Sequence, residues 1–353
     1  MSTLSLELDS QEFASRIKLS YCSDQEQGFK RKRRGQGFAY YDGQGKLITD
    51  ATARKRIQSL VIPPAWDEVW ISTRADTHIQ ATGRDEKGRK QYIYHPDWES
   101  TRNLAKYESL LEFGQALPKI RQQVECDLRK RQLTHQKVVA IALYMLDKTL
   151  VRIGNSQYAS SNKTYGLTTL RKRHVKMGES ALVLSFVGKS GKKHNLSIED
   201  KKLLRLIKSC QELPGQQLFQ YYDEEGKRQA LQSADINNYL HEITGSSFSA
   251  KYFRTWGGTV IAIETLLALG PSDEAKIIKK NLKLAICEAS NALGNTTSVC
   301  RNYYVHPVVA QSYEDGTLFT IADKCAQEKE DEESFCSFPE TVALALLEQK
   351  LPA

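Results

Sequence analysis

A change of pattern near residue 100 constrains the fold more than any other feature of the chain. Before it, from Phe38 onward, short alternating or aromatic runs are separated by turn residues; after it, apolar residues recur at helical spacing. A period near two buries one face of a strand and a period near 3.6 one stripe of a helix, so the two halves call for different architectures. The expectation is an α+β chain in three segments. Residues 1–35 form a polar, basic N-terminal extension, 36–99 a small antiparallel β-rich module, and 100–353 a larger, mainly helical domain with an acidic C-terminal segment.

In the first half, Phe38-Ala39-Tyr40-Tyr41, the turn Asp42-Gly43-Gln44-Gly45 and Lys46-Leu47-Ile48 predict a hairpin. Pro63-Pro64 breaks the chain, and residues 68–71, 78–82 and 91–94 predict further strands. A charged turn over residues 83–90 leads into Tyr92 and Tyr94, which strand alternation puts on one face. In the second half, helices are predicted over residues 136–153, 199–210, 233–243, 250–269, 273–292 and 340–351. A strand-turn-strand unit over residues 182–198 puts Lys189 at a hairpin tip. Arg152 is expected in the last turn of the 136–153 helix, where an arginine offsets the helix dipole. Arg254 lies within KYFRTWGG, whose adjacent Gly257 and Gly258 cost a helix roughly 1 kcal/mol each, so close packing or a ligand should require them.

At 353 residues the chain is long enough for two domains and a sizeable core. Its 50 basic and 42 acidic residues leave a net charge of +8. Basic clusters at residues 30–34, 87–90, 129–131, 171–174 and 189–193, interleaved with tyrosine and tryptophan, favour a polyanionic partner, nucleic acid above all. Residues 328–333 are acidic. Seven widely spaced cysteines with no CxxC pair suggest neither a disulfide framework nor a zinc site. No apolar run approaches the roughly 20 residues that span a bilayer, and the acidic N-terminus lacks a signal pattern, so a cytoplasmic protein is expected.

Residues 293–307, LGNTTSVCRNYYVHP, read as a nucleophile segment. A helical run ends at Gly294, a residue suited to the left-handed turn beyond a helix, and hydrogen-bonding side chains precede two tyrosines. Tyr304 is the candidate nucleophile. Taken alone, one of 16 tyrosines reads first as an ordinary half-buried aromatic, and the other segments must overturn that.

In chain order, Arg152, Lys189, Arg254 and Tyr304 resemble the active-site set of type IB DNA topoisomerases, in their poxvirus-like and bacterial branch. KGRKQYIYHP (87–96) is similar to that branch's N-terminal β-module, VRIGN (151–155) to its first-arginine segment, and YGLTTLRKRHV (165–175) to the segment that follows. FVGKSGKKH resembles its lysine hairpin and KYFRTWGGT its second-arginine helix. The resemblance extends over residues 36–310. It implies a catalytic domain of the tyrosine recombinase/topoisomerase IB type and relaxation of DNA supercoils by transient single-strand cleavage. It further implies a nucleoid-associated monomer that clamps double-stranded DNA without ATP, metal or any other cofactor. The absence of a GxxxxGK[ST] phosphate loop agrees with this.

The resemblance also assigns roles. Tyr304 attacks the phosphodiester, Arg152 and Arg254 bind the non-bridging oxygens of the phosphorane, and Lys189 protonates the departing 5′-oxygen. Asn295 stands nine residues before the nucleophile, where poxvirus and eukaryotic enzymes carry histidine, and is expected to donate a hydrogen bond without gaining or losing a proton. Arg89, Lys90, Tyr92 and Tyr94 of the β-module, and Tyr158 of the helical domain, are expected to contact DNA. Two rivals stand beside this reading: a tyrosine recombinase, whose C-terminal box LGNTTSVCRNYYVH also resembles, and a non-catalytic DNA-binding protein.

Overall fold

The structure, a computed structural model, describes residues 10–327 and 335–350; the acidic run at 328–333 lies outside them. The chain divides into two compact units, one up to Ser109 and one from Leu110.

The first unit opens with α1 (Ser10–Arg16), followed by β1 (Phe29–Arg34), β2 (Gly37–Tyr41), α2 (Ala51–Ser59), β3 (Asp67–Ile71), β4 (Ile79–Arg84) and β5 (Lys90–Tyr94). The five strands form one antiparallel sheet in the order β2-β1-β3-β4-β5. Its packed face joins Val69, Ile71 and Ala81 to Ile57 of α2. Two expectations change here. The basic run at 30–34, read as the end of an extension, is β1 itself, because Arg31 spends its guanidinium on the carbonyls of Ile62, Pro63 and Trp66. Residues before it also belong to the unit, with Phe13, Ala14 and Leu19 packing on Trp98. The hairpin predicted within residues 38–48 forms in short form, with Asp42 N–H donating to Lys46 O and Ile48 N–H to Tyr40 O, both at 2.9 Å, around the Tyr41–Leu47 bridge, while β2 makes its main pairing with β1.

A long helix, α3 (Pro96–Leu128), runs from the first unit into the second. There follow α4 (His135–Thr149), α5 (Ser156–Ser161), β6 (Val175–Met177), β7 (Leu182–Val187), β8 (Lys193–Ile198), α6 (Lys201–Glu212), the small hairpin of β9 (Gln220–Tyr222) and β10 (Arg228–Ala230), and α7 (Ser233–Thr244). The chain continues with α8 (Ala250–Leu269), α9 (Ala275–Leu293), α10 (Thr297–Tyr303), α11 (Pro307–Glu314), α12 (Thr317–Gln327) and α13 (Phe338–Lys350).

Helix α4 forms the centre of this unit, with Val138 to Leu143, Met145 and Leu146 all buried. Helix α8 packs against α4, α9, α11 and α13. A charged network of the interior ties α3, α4, α8 and α13: Arg121 of α3 meets Asp147 of α4 at 2.8 Å and Glu340 of α13 at 2.7 Å, and Glu340 accepts from the Trp256 indole of α8 at 3.0 Å. Among the described residues no helix is long and apolar enough to cross a membrane. The fold is thus a mixed one, with an antiparallel β-sheet first and a mainly helical unit after it.

Candidate active site

Helix α4 stops earlier than its apolar pattern predicts. Leu150 takes a left-handed conformation (φ 52°, ψ 22°), so Arg152 stands beyond the helix, two residues after its cap, on an irregular segment rather than in its last turn. A dipole-capping role for Arg152 is therefore replaced by a tertiary one: its guanidinium donates to Asn295 Oδ1. Burial lowers the Arg152 pKa, and the neighbouring Tyr304 works against that shift.

Arg254 comes from the first turns of α8 and is 4% exposed. Its Nη1 donates to the Leu150 carbonyl and its Nη2 to the Leu293 carbonyl at 2.9 Å. One guanidinium thus ties the segment carrying Arg152 to the helix end that precedes Asn295. The same group lies 5.2 Å from the centre of the Tyr304 ring. Burial, with Arg152 adding to it, pulls the Arg254 pKa down to about 10, and Tyr304 acts in the opposite direction. It stays a cation at neutral pH.

Tyr304 ends α10, whose first turn is capped by the Val299 N–H donating to the Thr296 hydroxyl oxygen. Its carbonyl sits directly under α8, and this accounts for the second glycine of KYFRTWGG. A Cβ on Gly258 would fall 2.8 Å from Tyr304 O and 3.0 Å from Leu293 Cδ1; one on Gly257 would strike Leu150 Cδ1 at 2.5 Å. Both glycines are there for close packing. Alanine normally favours a helix interior by about 1 kcal/mol over glycine. At Gly258 the obstacle is a backbone carbonyl, which cannot swing aside, so Gly258→Ala should displace the nucleophile and slow single-turnover DNA cleavage by roughly 10²-fold. DNA affinity in a filter-binding titration should hardly change. An unaltered cleavage rate would contradict the packing account.

Among the described residues, two donors of the cluster are buried without a partner, Arg254 Nε and Asn295 Nδ2; Thr255 Oγ1, Trp98 Nε1 and His135 Nε2 share that condition elsewhere. A buried donor left unmade costs about 1–3 kcal/mol, so two of them within one cluster mark a place where a ligand atom belongs. An anion with several acceptor oxygens fits them.

Lys189 lies at the exposed tip between β7 and β8, as the pattern predicts. The tip is a short 3₁₀ turn in which Ser190 (φ 61°) and Gly191 (φ 76°) are left-handed. The hairpin gains a third strand, β6, that the sequence pattern does not reveal. Asn155 caps α5, its side chain accepting from the N–H groups of Gln157 and Tyr158, so it serves the local fold. Tyr158 on that helix is 52% exposed.

The remaining residues expected to touch DNA lie on the first unit. Tyr92 and Tyr94 do share a face, with rings stacked 5.7 Å apart. Together with Tyr21, Asp24, Lys90 and Trp98 they border a cavity of about 310 Å³. Lys90 is paired with Asp24 at 2.5 Å and Arg89 with Asp85 at 2.6 Å. The basic side chain of each pair is exposed while its carboxylate is mostly covered, so either cation can turn outward to phosphate.

His306, two residues after Tyr304, carries an additional signal. Its Nδ1 caps α11 by accepting from Val308 N–H at 3.0 Å, and burial drives its pKa down to about 4. The unfolded chain binds that proton near pH ~6.5. Folded His306 therefore contributes stability that is complete above pH 6.5 and lost as pH falls from there towards 4. Between pH 7 and pH 5 the loss should be roughly 2 kcal/mol. His306→Asn, which keeps a capping oxygen but cannot titrate, should remove that slope in urea unfolding at the two pH values. An equal slope in both proteins would refute it.

Comparison with known proteins agrees with this geometry. The family described as "Eukaryotic DNA topoisomerase I, catalytic core" matches residues 95–332, and "Bacterial DNA topoisomerase IB, N-terminal domain" matches residues 37–85. The chain is 33% identical over 305 residues to DNA topoisomerase 1B of Acanthamoeba polyphaga mimivirus, covering 84% of this chain and 91% of that protein. It is 22% identical over 301 residues to DNA topoisomerase 1B of Vaccinia virus (strain Copenhagen), covering 79% and 91%. A central helical unit that gathers two arginines around a tyrosine, preceded by an antiparallel β-sheet, is here joined to matches spanning most of the sequence: the chain belongs to the type IB DNA topoisomerase family.

Proposed function

We propose that this DNA topoisomerase relaxes positive and negative supercoils through a covalent 3′-phosphotyrosyl intermediate formed on Tyr304, using neither ATP nor a metal ion. The Tyr304 phenol gives up its proton to water as its oxygen bonds to phosphorus and the P–O5′ bond breaks; the released oxygen takes a proton from Lys189 and leaves as a 5′-hydroxyl. After the free end has rotated, the 5′-hydroxyl returns its proton to Lys189 and attacks phosphorus, the phosphotyrosine bond breaks, the tyrosine oxygen regains a proton from water and the strand is resealed. The bond energy is kept in the intermediate throughout.

The observation that carries this reading is the pair of unpartnered buried donors, Arg254 Nε and Asn295 Nδ2, beside the Tyr304 ring. Donors fixed before the substrate arrives stabilise developing phosphorane charge without reorganisation. Arg152, held by Asn295, adds a second permanent cation, so two guanidiniums do what a metal does elsewhere. Asn295 acts as a neutral donor, with no share in proton transfer. Arg89, Lys90, Tyr92, Tyr94 and Tyr158 provide contacts along the duplex.

The same reading makes the protein a monomer whose two units close around double-stranded DNA. It places the protein in the bacterial branch and at the nucleoid, with a catalytic unit of the tyrosine recombinase/topoisomerase IB type. The match to a bacterial N-terminal domain supports the branch.

The test is relaxation of plasmid of either supercoil sign in EDTA without ATP, with denaturant trapping of a protein-DNA adduct. Relaxation and a 3′-linked adduct are expected, and Asn295→Ala should slow single-turnover cleavage by roughly 10²-fold. Failure to relax either sign across a range of salt would end the proposal. A full cleavage rate in Asn295→Ala would end the role given to that residue.

A further inference from the structure

His194 lies on β8 opposite Phe186 of β7, and the two rings stack at 4.7 Å with planes 9° apart. What surrounds the far side of this imidazole sets it apart. A Cβ built on Gly188 would fall 2.8 Å from His194 Nε2, and one built on Gly294 would fall 2.6 Å from His194 Cε1. The ring is therefore seated between two glycines, each of which admits it by lacking a side chain. Gly188 immediately precedes Lys189, and Gly294 immediately precedes Asn295. Gly294 is also the left-handed cap of α9, the helix end whose Leu293 carbonyl Arg254 holds.

We infer that His194 is a positioning residue: its imidazole is the spacer that seats the Lys189 hairpin against the Gly294–Asn295 turn and so sets where the lysine ammonium meets the departing oxygen. The hairpin needs such a seat. Its tip is exposed, and the Lys189 side chain has no hydrogen-bond or ion-pair partner among the described residues to aim it. Burial lowers the His194 pKa, and the positive charges of Arg152, Lys192 and Arg254 add to that shift. A neutral ring fits among them where a second ammonium or an imidazolium would not. The spacer thus adds shape without charge. A misplacement of about 1 Å at a reacting group can lower a rate by roughly 10²-fold, which is the scale on which such a seat matters.

The inference rests on Lys189 being the acid that protonates the 5′-oxygen, and its test separates the two claims. Single-turnover cleavage is measured on two duplexes, one with the natural phosphodiester and one with a 5′-bridging phosphorothiolate. In the second, sulfur departs as a thiolate and needs no proton. Lys189→Ala should be slow on the first and close to wild type on the second. His194→Ala should follow the same pattern, with a loss of roughly 10²-fold on the phosphodiester and most of it recovered on the phosphorothiolate. His194→Phe, which keeps a flat ring to stack on Phe186 and carries no charge, should recover most of the rate on the natural duplex.

A general loss of folding in His194→Ala would depress both substrates equally, so an equal loss overturns the inference while leaving Lys189 untouched. His194→Phe as slow as His194→Ala overturns it as well. If Lys189→Ala is equally slow on both duplexes, the acid assignment falls and the role of His194 with it.

Discussion

Tyr304→Phe is expected to bind DNA with nearly wild-type affinity and to relax no plasmid, with no covalent adduct recovered after denaturation. The substitution removes one oxygen and keeps the ring that lies 5.2 Å from the Arg254 guanidinium. It leaves the backbone contacts of this residue in place, Tyr304 N–H to Cys300 O at 2.9 Å and the Tyr304 carbonyl beneath α8. Stability should therefore change little while covalent chemistry is lost altogether. The variant also separates the two rivals. A non-catalytic DNA-binding protein would show no relaxation in the wild type. A recombinase would require synapsis of partner protomers, so relaxation by the wild type at high dilution would exclude it. Residual relaxation by purified Tyr304→Phe would move the nucleophile elsewhere, and Tyr303 is the first residue to test.

Arg254→Ala should lower both rate and stability, the stability by more than any other single change among the cluster residues. Two buried carbonyls, those of Leu150 and Leu293, lose their donor, at about 1–3 kcal/mol each. Urea unfolding should therefore show a loss of roughly 2–5 kcal/mol. Loss of a charged donor at the phosphorane should lower cleavage by roughly 10²–10³-fold. Arg254→Lys divides the two effects: one ammonium can satisfy at most part of this geometry, so some stability returns while the side-on contact of Nε is gone. Equal rates for Arg254→Lys and wild type would show that charge alone suffices. Wild-type stability in Arg254→Ala would contradict the tie between Leu150 and Leu293.

Much of the site was legible because its chemistry is borne by residue types in a fixed order. The segments holding Arg152, Lys189, Arg254 and Tyr304 could each be placed relative to a helix end or a hairpin from local pattern alone. The pattern failed where long-range contacts override propensity. The 136–153 stripe runs on past Leu150, yet the helix stops there, since the Leu150 side chain packs on Gly257 and its carbonyl is claimed by Arg254. The basic run at 30–34 reads as a solvated arm, but Arg31 bonds three carbonyls about 30 residues away in the chain. In the same way, the 171–174 cluster gives Lys172 to the Leu213 carbonyl and buries His174. His194 was invisible for the same reason, since nothing within its own strand signals a contact with Gly294, a hundred residues on.

The two kinds of cation in this cluster are held very differently, and that has an entropic consequence. Arg254 is pinned at two carbonyls and enclosed by packed helices, so the rotamer freedom of a long side chain, about 2 kcal/mol, is given up when the polypeptide folds and not when DNA binds. Lys189 stands exposed on a three-residue turn and keeps its freedom until substrate arrives. In the proposed mechanism, charge needed at the instant of attack is thus frozen in advance. The ordering that remains to be supplied by the duplex is concentrated on Lys189, the group proposed to deliver a proton and then take it back.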